Sequence, residues 1–314
     1  LYYIIKRQNR NNEALIAAAY VVGSEVFLRM TDGNPLYEIS KYGVIVFILI
    51  GMFYSSFSKG AFPYYIFLIL LVPSVIISTT TLNFDTNIRK AIAFNISGPV
   101  CLALASIYTC RRKIAFEEMN RILLSMGLPI ITCIVYLTLY TPNLQDVITS
   151  TESNFQTSGG FGPNQVSTIL GLGMFIFFSR FMLESKTKFQ IIINLIIALI
   201  ITYRGMLTFS RGGVITGFLM IILLVTFLYF KSNHGGKLKM NFIIALVTFS
   251  ILTAWGYTSF QTDGLINKRY SNQDAAGRVK TSQFTGREQV IQNEINTFFK
   301  NPFFGVDVGK GKEA

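Results

Sequence analysis

Charged residues are scarce in this sequence: they make up 14% of the 314 residues, while hydrophobic residues make up 51%. A chain with so little charge and so much apolar content is a poor fit to a water-soluble globule. Acidic residues are the scarcer sign, with 16 Asp and Glu against 28 Lys and Arg. The composition therefore indicates a membrane protein.

Residues that build metal and nucleotide sites are also few. His234 is the only histidine, and the cysteines at 101, 110 and 133 lie in or beside apolar runs without the spacing of metal ligands. The sequence contains no Gly-Lys-Ser/Thr phosphate loop and no carboxylate cluster like that of a metal-dependent nucleotide-sugar site. We therefore expect no metal or other cofactor, and an ATP-driven pump is a poor candidate.

Long apolar runs separated by short polar connectors fill most of the chain. A helix needs roughly 20 residues to cross about 30 Å of hydrocarbon, and continuous apolar runs favour helices over a closed barrel. The sequence thus predicts an all-α polytopic bundle of about nine transmembrane helices with an outer-face loop region. The expected spans are 14–28, 42–57, 62–79, 91–110, 122–140, 165–182, 191–207, 214–230 and 242–258.

Basic residues mark one set of alternate connectors, as expected for the cytoplasmic side of a membrane. The connectors 31–40, 82–90, 141–163 and 210–213 and the tail from residue 259 form the other set, which is predicted to face outward. The N-terminal segment is then cytoplasmic, and the net charge of +12 reflects topology, with no nucleic-acid partner expected. The basic set contains Lys6, Arg7, Arg10, Lys59, Arg111, Arg112, Lys113, Arg121, Lys186, Lys188, Lys231, Lys237 and Lys239.

We divide the chain into N-terminal transmembrane helices (1–140), a second set of transmembrane helices (141–258) and an outer-face segment (259–314). Because the sequence begins at Leu1 and ends at Ala314 within a polar run, we expect it to be a piece of a longer protein.

The turn Thr-Phe-Ser-Arg-Gly-Gly at 208–213 lies between two predicted spans with almost no loop. An arginine at this depth is costly unless it reaches the headgroups or meets an anion. Ser210 is expected to cap the next helix, whose N-terminus adds partial positive charge. Arg211 is thus a candidate phosphate ligand. Arg204, two helical turns earlier, is either a supporting residue that faces the same cavity or the partner of a buried polar group. A tight turn with Arg211 among lipid headgroups is the simpler interpretation.

The tail contains a second candidate, Arg287, after Gly286. A helix there would have one apolar face and could lie on the membrane surface until Pro302 ends it. Arg287 would then stand at the helix start, either within reach of a lipid-linked anion or solvated. Arg269 and Arg278 share the tail and have weaker claims. The apolar face is predicted from Ile291, Ile295, Phe298 and Phe299.

A third feature is the Gly- and Pro-rich stretch 158–164, which ends at Asn164 before the sixth span. Such a stretch allows an irregular entry into the membrane. Asn164 is expected to cap the helix, and bonding a sugar hydroxyl is the alternative.

Together these features resemble the O-antigen ligase/polymerase superfamily over about residues 154–309. The resemblance rests on the Ser-Arg-Gly turn at 208–213, on Gly286-Arg287 followed by Asn-Pro-Phe-Phe-Gly at 301–305, and on 160–164 before a span. It implies a metal-independent glycosyltransferase at the outer face of the bacterial inner membrane. The donor would be an undecaprenyl-diphosphate-linked glycan of polysaccharide biosynthesis, such as that of lipopolysaccharide, and the acceptor a glycan, a lipid or a protein.

The resemblance also implies roles for individual residues. Arg211 and Arg287 would bind the donor diphosphate, and the supporting residues would be Arg204, Ser210, Asn164 and Arg278. The general-base histidine of the family's ligases is expected beyond Ala314, so no catalytic residue is assigned within this chain.

A polytopic transporter or flippase of polysaccharide precursors is the alternative class. It predicts ionisable residues near the middle of the membrane and Gly- or Pro-broken spans in related halves. Glu25 and Arg29 are four residues apart, which predicts a structural ion pair. Pro73 and Pro129 interrupt spans without evident symmetry.

Overall fold

The computed structural model describes residues 1–56, 58–81, 87–280 and 287–302. Over these ranges the chain is helical, and the one β-pairing found there is an isolated bridge between Gln273 and Val279. Short 3-10 turns occupy Lys59–Ala61 and Gln156–Ser158. The helices are α1 (Tyr2–Arg7), α2 (Glu13–Met30), α3 (Ile39–Tyr54), α4 (Phe62–Thr81), α5 (Ile88–Thr109), α6 (Phe116–Tyr140), α7 (Leu144–Val147), α8 (Pro163–Leu183), α9 (Lys188–Leu207), α10 (Arg211–Lys231), α11 (His234–Gln261), α12 (Leu265–Tyr270) and α13 (Arg287–Lys300).

Each predicted span coincides with a helix, but only seven helices of the described chain are long and apolar enough to cross a membrane. They are α4, α5, α6, α8, α9, α10 and α11. The all-α, multi-pass architecture therefore stands, while the count of about nine spans is not confirmed. Helix α2 carries Glu13, Glu25 and Arg29. Helix α3 has 16 residues, which is about 24 Å of helix against roughly 30 Å of hydrocarbon.

The ends of several helices are encoded locally. The Thr187 side chain accepts a hydrogen bond from the Gln190 amide, and the Gln190 side chain accepts one from the Thr187 amide, which forms a capping box at the start of α9. Asn87 caps α5 by accepting from the amide of Lys90. Pro163 occupies the first turn of α8, where its missing N–H has no cost.

The chain forms two compact units, and the first comprises Leu1–Val22, Asn34–Ile122 and Ser282–Ala314. At one end of this unit the buried Asn9 side chain donates to the hydroxyl of Tyr108 at 2.6 Å and to Ser55 Oγ at 3.1 Å. The N-terminal segment, the end of α3 and the end of α5 therefore meet, as alternate connectors of an up-and-down bundle must. Which side of the membrane they face stays a prediction.

The second unit comprises Gly23–Gly33 and Leu123–Thr281. Its central helix is α8, which buries Leu170, Ile176 and Phe177 and packs against α9 and α10. A Cβ added to Gly213 at the start of α10 would lie 2.1 Å from the Ser167 carbonyl oxygen. Helices α8 and α10 thus touch backbone to backbone, the close approach that small residues permit in membrane bundles. The predicted division at 140 and 258 stays a prediction.

Two sequence predictions are confirmed outside the bundle core. Glu25 and Arg29 form an ion pair at 2.6 Å within α2. Helix α13 exists and ends at Lys300, just before Pro302. Its position on a membrane surface stays a prediction, and Gly286 and residues 303–305 of the predicted motif lie outside the described residues. The apolar side chains of α13, at Ile291, Ile295, Phe298 and Phe299, are exposed.

Candidate functional site

The candidate site lies in the second unit, at the end of the bundle where α9 stops and α10 starts. Only Thr208, Phe209 and Ser210 separate the two helices. Phe209 reverses the chain with a left-handed φ of 55°, a strained conformation for a bulky residue. Its ring is 1% exposed and packs with Ile148 and Ile266. The turn is therefore held rigidly, and Arg211 follows it as the first residue of α10.

The predicted capping roles of Ser210 and Asn164 are both wrong. Ser210 occupies the N-cap position of α10, but its side chain makes no capping bond; its hydroxyl donates instead to Asn164 Oδ1 at 2.8 Å. Gly162 is the N-cap of α8, so Asn164 lies inside the first turn. The Ser167 hydroxyl donates to the Ser210 carbonyl at 2.8 Å. Hydrogen bonds between the two helices thus replace the local capping bonds, and they hold the starts of α8 and α10 together.

The arginine beside Arg211 in the structure is Arg269. It lies 60 residues after Phe209 in the sequence, and its side chain contacts Phe209. Arg269 lies in α12 and is 8% exposed. Its Nε donates to the Phe209 carbonyl at 2.8 Å, and Arg211 Nη1 approaches the Arg269 carbonyl at 3.4 Å. Each guanidinium thus contacts the backbone of the other's segment. Arg269 is therefore central to the cluster, although the sequence made it a weaker candidate than Arg287.

The electrostatic environment of this cluster is positive. Burial lowers the pKa of Arg269, the neighbouring Arg211 lowers it further, and Glu152 opposes them by raising it. In the described part of the chain no carboxylate oxygen lies within 4.0 Å of the Arg269 guanidinium. The Glu152 side chain is 76% exposed and approaches Lys280 at 4.0 Å. Water therefore screens this carboxylate, and its compensation of Arg269 is partial.

Tyr270 adds a neutral hydroxyl next to the two arginines. Burial raises the pKa of Tyr270 to about 12, while the nearby Arg211 and Arg269 pull it down. The phenol thus keeps its proton at neutral pH and remains a hydrogen-bond donor. Its ring packs edge to face on Trp255 at 4.8 Å between centroids. Trp255 in turn donates to Asn267 Oδ1 at 2.8 Å, which fixes α12 on the end of α11.

The polar segment between α6 and α8 forms a support beneath the turn. Asn154 N donates to the Thr208 carbonyl at 3.0 Å, and the Thr157 hydroxyl donates to the Leu207 carbonyl at 2.6 Å. Thr151 Oγ1 donates to the Gln273 carbonyl at 2.8 Å and so anchors the segment after α12. The loop thereby holds both arginine-bearing segments in one place.

The remaining predicted residues lie elsewhere. Arg204 is buried near the end of α9 and contacts Thr141 Oγ1 at 3.4 Å. Arg278 is exposed, and its backbone forms a turn with Asp274. Arg287 begins α13, in the first compact unit, and its side chain lies outside the described residues. The pairing of Arg211 with Arg287 therefore stays a prediction.

Among the residues that the structure describes, no group of three or more His, Cys, Asp or Glu side chains is placed to hold a metal ion. His234 is exposed at the start of α11, the opposite end of that helix from Trp255.

These features define a class: a multi-pass helical membrane protein with a rigid basic cluster at one end of its helices. No family model, no curated protein and no solved structure matches the chain.

Proposed function

We propose that this chain is a membrane glycosyltransferase of the O-antigen ligase/polymerase type, which binds a lipid-linked glycan donor through its diphosphate. The observation that carries the proposal is the contact between the Arg211 and Arg269 segments at the end of apolar helices. Two guanidinium groups held at a water–membrane boundary suit a group with more than one negative charge.

The chemistry that follows is a glycosyl transfer with undecaprenyl diphosphate as the leaving group. Negative charge grows on that diphosphate as the glycosidic bond breaks. Fixed positive groups in a partly dehydrated site stabilise such charge without reorganising, and this lowers the barrier. Arg211 and Arg269 perform this task in the proposal, and the Tyr270 hydroxyl adds a neutral donor. The acceptor is a glycan, a lipid or a protein, and its general base lies outside the residues assigned here.

The basic connectors support the proposed orientation, with the N-terminal segment in the cytoplasm and the cluster at the outer face of the bacterial inner membrane. Lipid-linked glycans are then presented to the cluster from the bilayer, and the soluble or lipid-borne acceptor approaches from outside.

Donor binding is the first test. The purified chain in nanodiscs is titrated with undecaprenyl diphosphate and with undecaprenyl phosphate. Charge-assisted hydrogen bonds contribute about 1.5–3 kcal/mol, and about 1.4 kcal/mol is a factor of ten. Arg211→Gln and Arg269→Gln should each weaken diphosphate binding at least about tenfold. The matched control Arg10→Gln, an exposed arginine of the predicted cytoplasmic set, should bind as the wild type does. Equal affinity in all four proteins would refute the proposed diphosphate site.

A second measurement separates the transferase from the flippase. Proteoliposomes containing a lipid-linked glycan are sampled for new glycosidic bonds and released undecaprenyl diphosphate. A transferase forms both products. Exposure of the intact lipid-linked glycan on the opposite leaflet, without either product, would instead establish the transporter class.

A further inference from the structure

An open apolar groove runs between two membrane-spanning helices of the second unit. Residues of α6 between Ile131 and Leu139 form one wall, Ile197 and Ile200 of α9 form the other, and the volume is about 290 Å³. The eight residue steps from Ile131 to Leu139 make the groove about 12 Å long. Val135, Leu139 and Ile200 are 51%, 71% and 44% exposed. Because both helices are apolar enough to span a membrane, we expect these side chains to face hydrocarbon.

Arg204 lies one helical turn beyond Ile200, towards the bundle end that also carries Arg211. Ile200 and Arg204 follow Ile197 by three and seven residues, so the three side chains lie on one face of α9. Thr141 lies just past the end of α6, and its Oγ1 is 3.4 Å from Arg204 Nη1. The contact between these two side chains joins the two walls where the groove leaves the apolar region.

The charge of Arg204 is poorly compensated by its surroundings. The side chain is 9% exposed, and across the described ranges no carboxylate oxygen lies within 4.0 Å of it. The hydroxyl contact is longer than an ordinary N–H···O hydrogen bond, which measures about 2.7–3.2 Å. An uncompensated cation at this depth is costly. An anion beside the guanidinium would offset that cost.

We propose that the groove binds one anionic glycerophospholipid of the membrane, with an acyl chain between α6 and α9 and the phosphate at Arg204. A phosphodiester carries a single negative charge, which one guanidinium neutralises. A diphosphate carries more charge and matches the two arginines of the other cluster better. Basic pockets between transmembrane helices recognise anionic lipid headgroups by this combination of charge and chain packing. This inference does not depend on the proposed transferase activity.

The site predicts selective retention of phosphatidylglycerol. The protein is reconstituted in equimolar phosphatidylglycerol and phosphatidylcholine, extracted into mild detergent and weighed by native mass spectrometry. The wild type should retain one phosphatidylglycerol with roughly fivefold preference, from about 1 kcal/mol for one basic residue. Arg204→Gln should abolish the preference, whereas Arg278→Gln, which removes an exposed arginine, should keep it. Equal retention of both lipids by the wild type, or unchanged preference in Arg204→Gln, would overturn the proposal.

Two further measurements keep the test independent of variant folding. Phosphatidylglycerol with a photoreactive acyl chain should cross-link the wild type within 131–139 and 197–200, and uniform labelling of all lipid-facing helices would contradict the groove. Thr138→Trp, in the groove wall, should reduce labelling, while Ile222→Trp on the exposed face of α10 should not. Displacement of the retained phosphatidylglycerol by undecaprenyl diphosphate in the Arg211→Gln protein would refute this choice of occupant.

Discussion

The contact between α8 and α10 offers the sharpest test of how the candidate site is built. Alanine at Gly213 would place a Cβ 2.1 Å from the carbonyl oxygen of Ser167 and 2.5 Å from the amide nitrogen of Thr168. Both neighbours are backbone atoms, so no side-chain rotation relieves the clash. By contrast, a Cβ at Gly212 meets no atom within 4 Å. The chain thus supplies two adjacent glycines with opposite expected behaviour.

The magnitude follows from the displacement that the new methyl group requires. Ordinary contact begins near 3.4 Å, so the helices must separate by roughly 1.3 Å, the difference between 3.4 and 2.1 Å. That shift stretches the 2.8 Å bond from Ser167 Oγ to the Ser210 carbonyl beyond hydrogen-bonding distance. Overpacking costs about 1–3 kcal/mol, and the lost bond costs about 0.5–1.5 kcal/mol. Both variants gain similar helix propensity from alanine, so this term cancels when they are compared.

We therefore expect Gly213→Ala to be about 2–4 kcal/mol less stable than Gly212→Ala. SDS-driven unfolding in mixed micelles, followed by circular dichroism, measures this difference. Gly213→Ala should also weaken undecaprenyl diphosphate binding, because Ser210 and Arg211 move with the start of α10. If the two alanine variants unfold at the same SDS fraction, the backbone-to-backbone packing inferred here is incorrect.

Three further predictions concern other parts of the chain. Asn9→Ala should destabilise the protein by about 2–4 kcal/mol, because three side-chain hydrogen bonds of a buried amide are lost; exposed Asn11→Ala should change little in the same SDS titration. A tyrosinate absorbance titration of the wild type minus Tyr270→Phe should show one group ionising near pH 12, and a midpoint near 10 would contradict its burial. Since the unfolded phenol ionises from about pH 10, stability should fall between these two values. Phe298→Trp should be quenched by brominated lipids if α13 lies on the membrane, whereas Asn293→Trp on its opposite face should not.

The helices could be predicted from the sequence because continuous apolar runs encode them directly. Every predicted span contains a helix, and α13 was predicted from four apolar residues at helical spacing. The count of spans is harder, since a buried helix and a membrane-spanning helix have similar composition. Helix α2 illustrates this, because its charged residues suit packing inside the protein as well as a position near headgroups.

Only part of the site could be predicted from the sequence, because the rest depends on tertiary contacts. The Ser-Arg-Gly-Gly turn identified Arg211 because a charged residue between two apolar runs is conspicuous. Arg269 lies in a six-residue helix within a polar segment, too short to show periodicity, and its contact with the turn depends on how α11 and α12 fold back. The predicted capping roles of Ser210 and Asn164 were wrong for the same reason. The Ser210 hydroxyl donates to the Asn164 side chain, so each side chain is bonded to a residue of another segment.

The cost of the arginine cluster is itself an argument for a ligand. Arg269 is buried, its neighbour Arg211 carries the same charge, and Glu152 is too exposed to compensate fully. Replacing buried charges by apolar residues is often neutral or stabilising, so folding alone gives little reason to bury Arg269 next to a second arginine. The proposed diphosphate would reverse this balance, because it would bring negative charge to both guanidinium groups. Any ligand that binds only the folded state also stabilises it by mass action, so the proposed diphosphate should raise the stability of the turn that precedes Arg211.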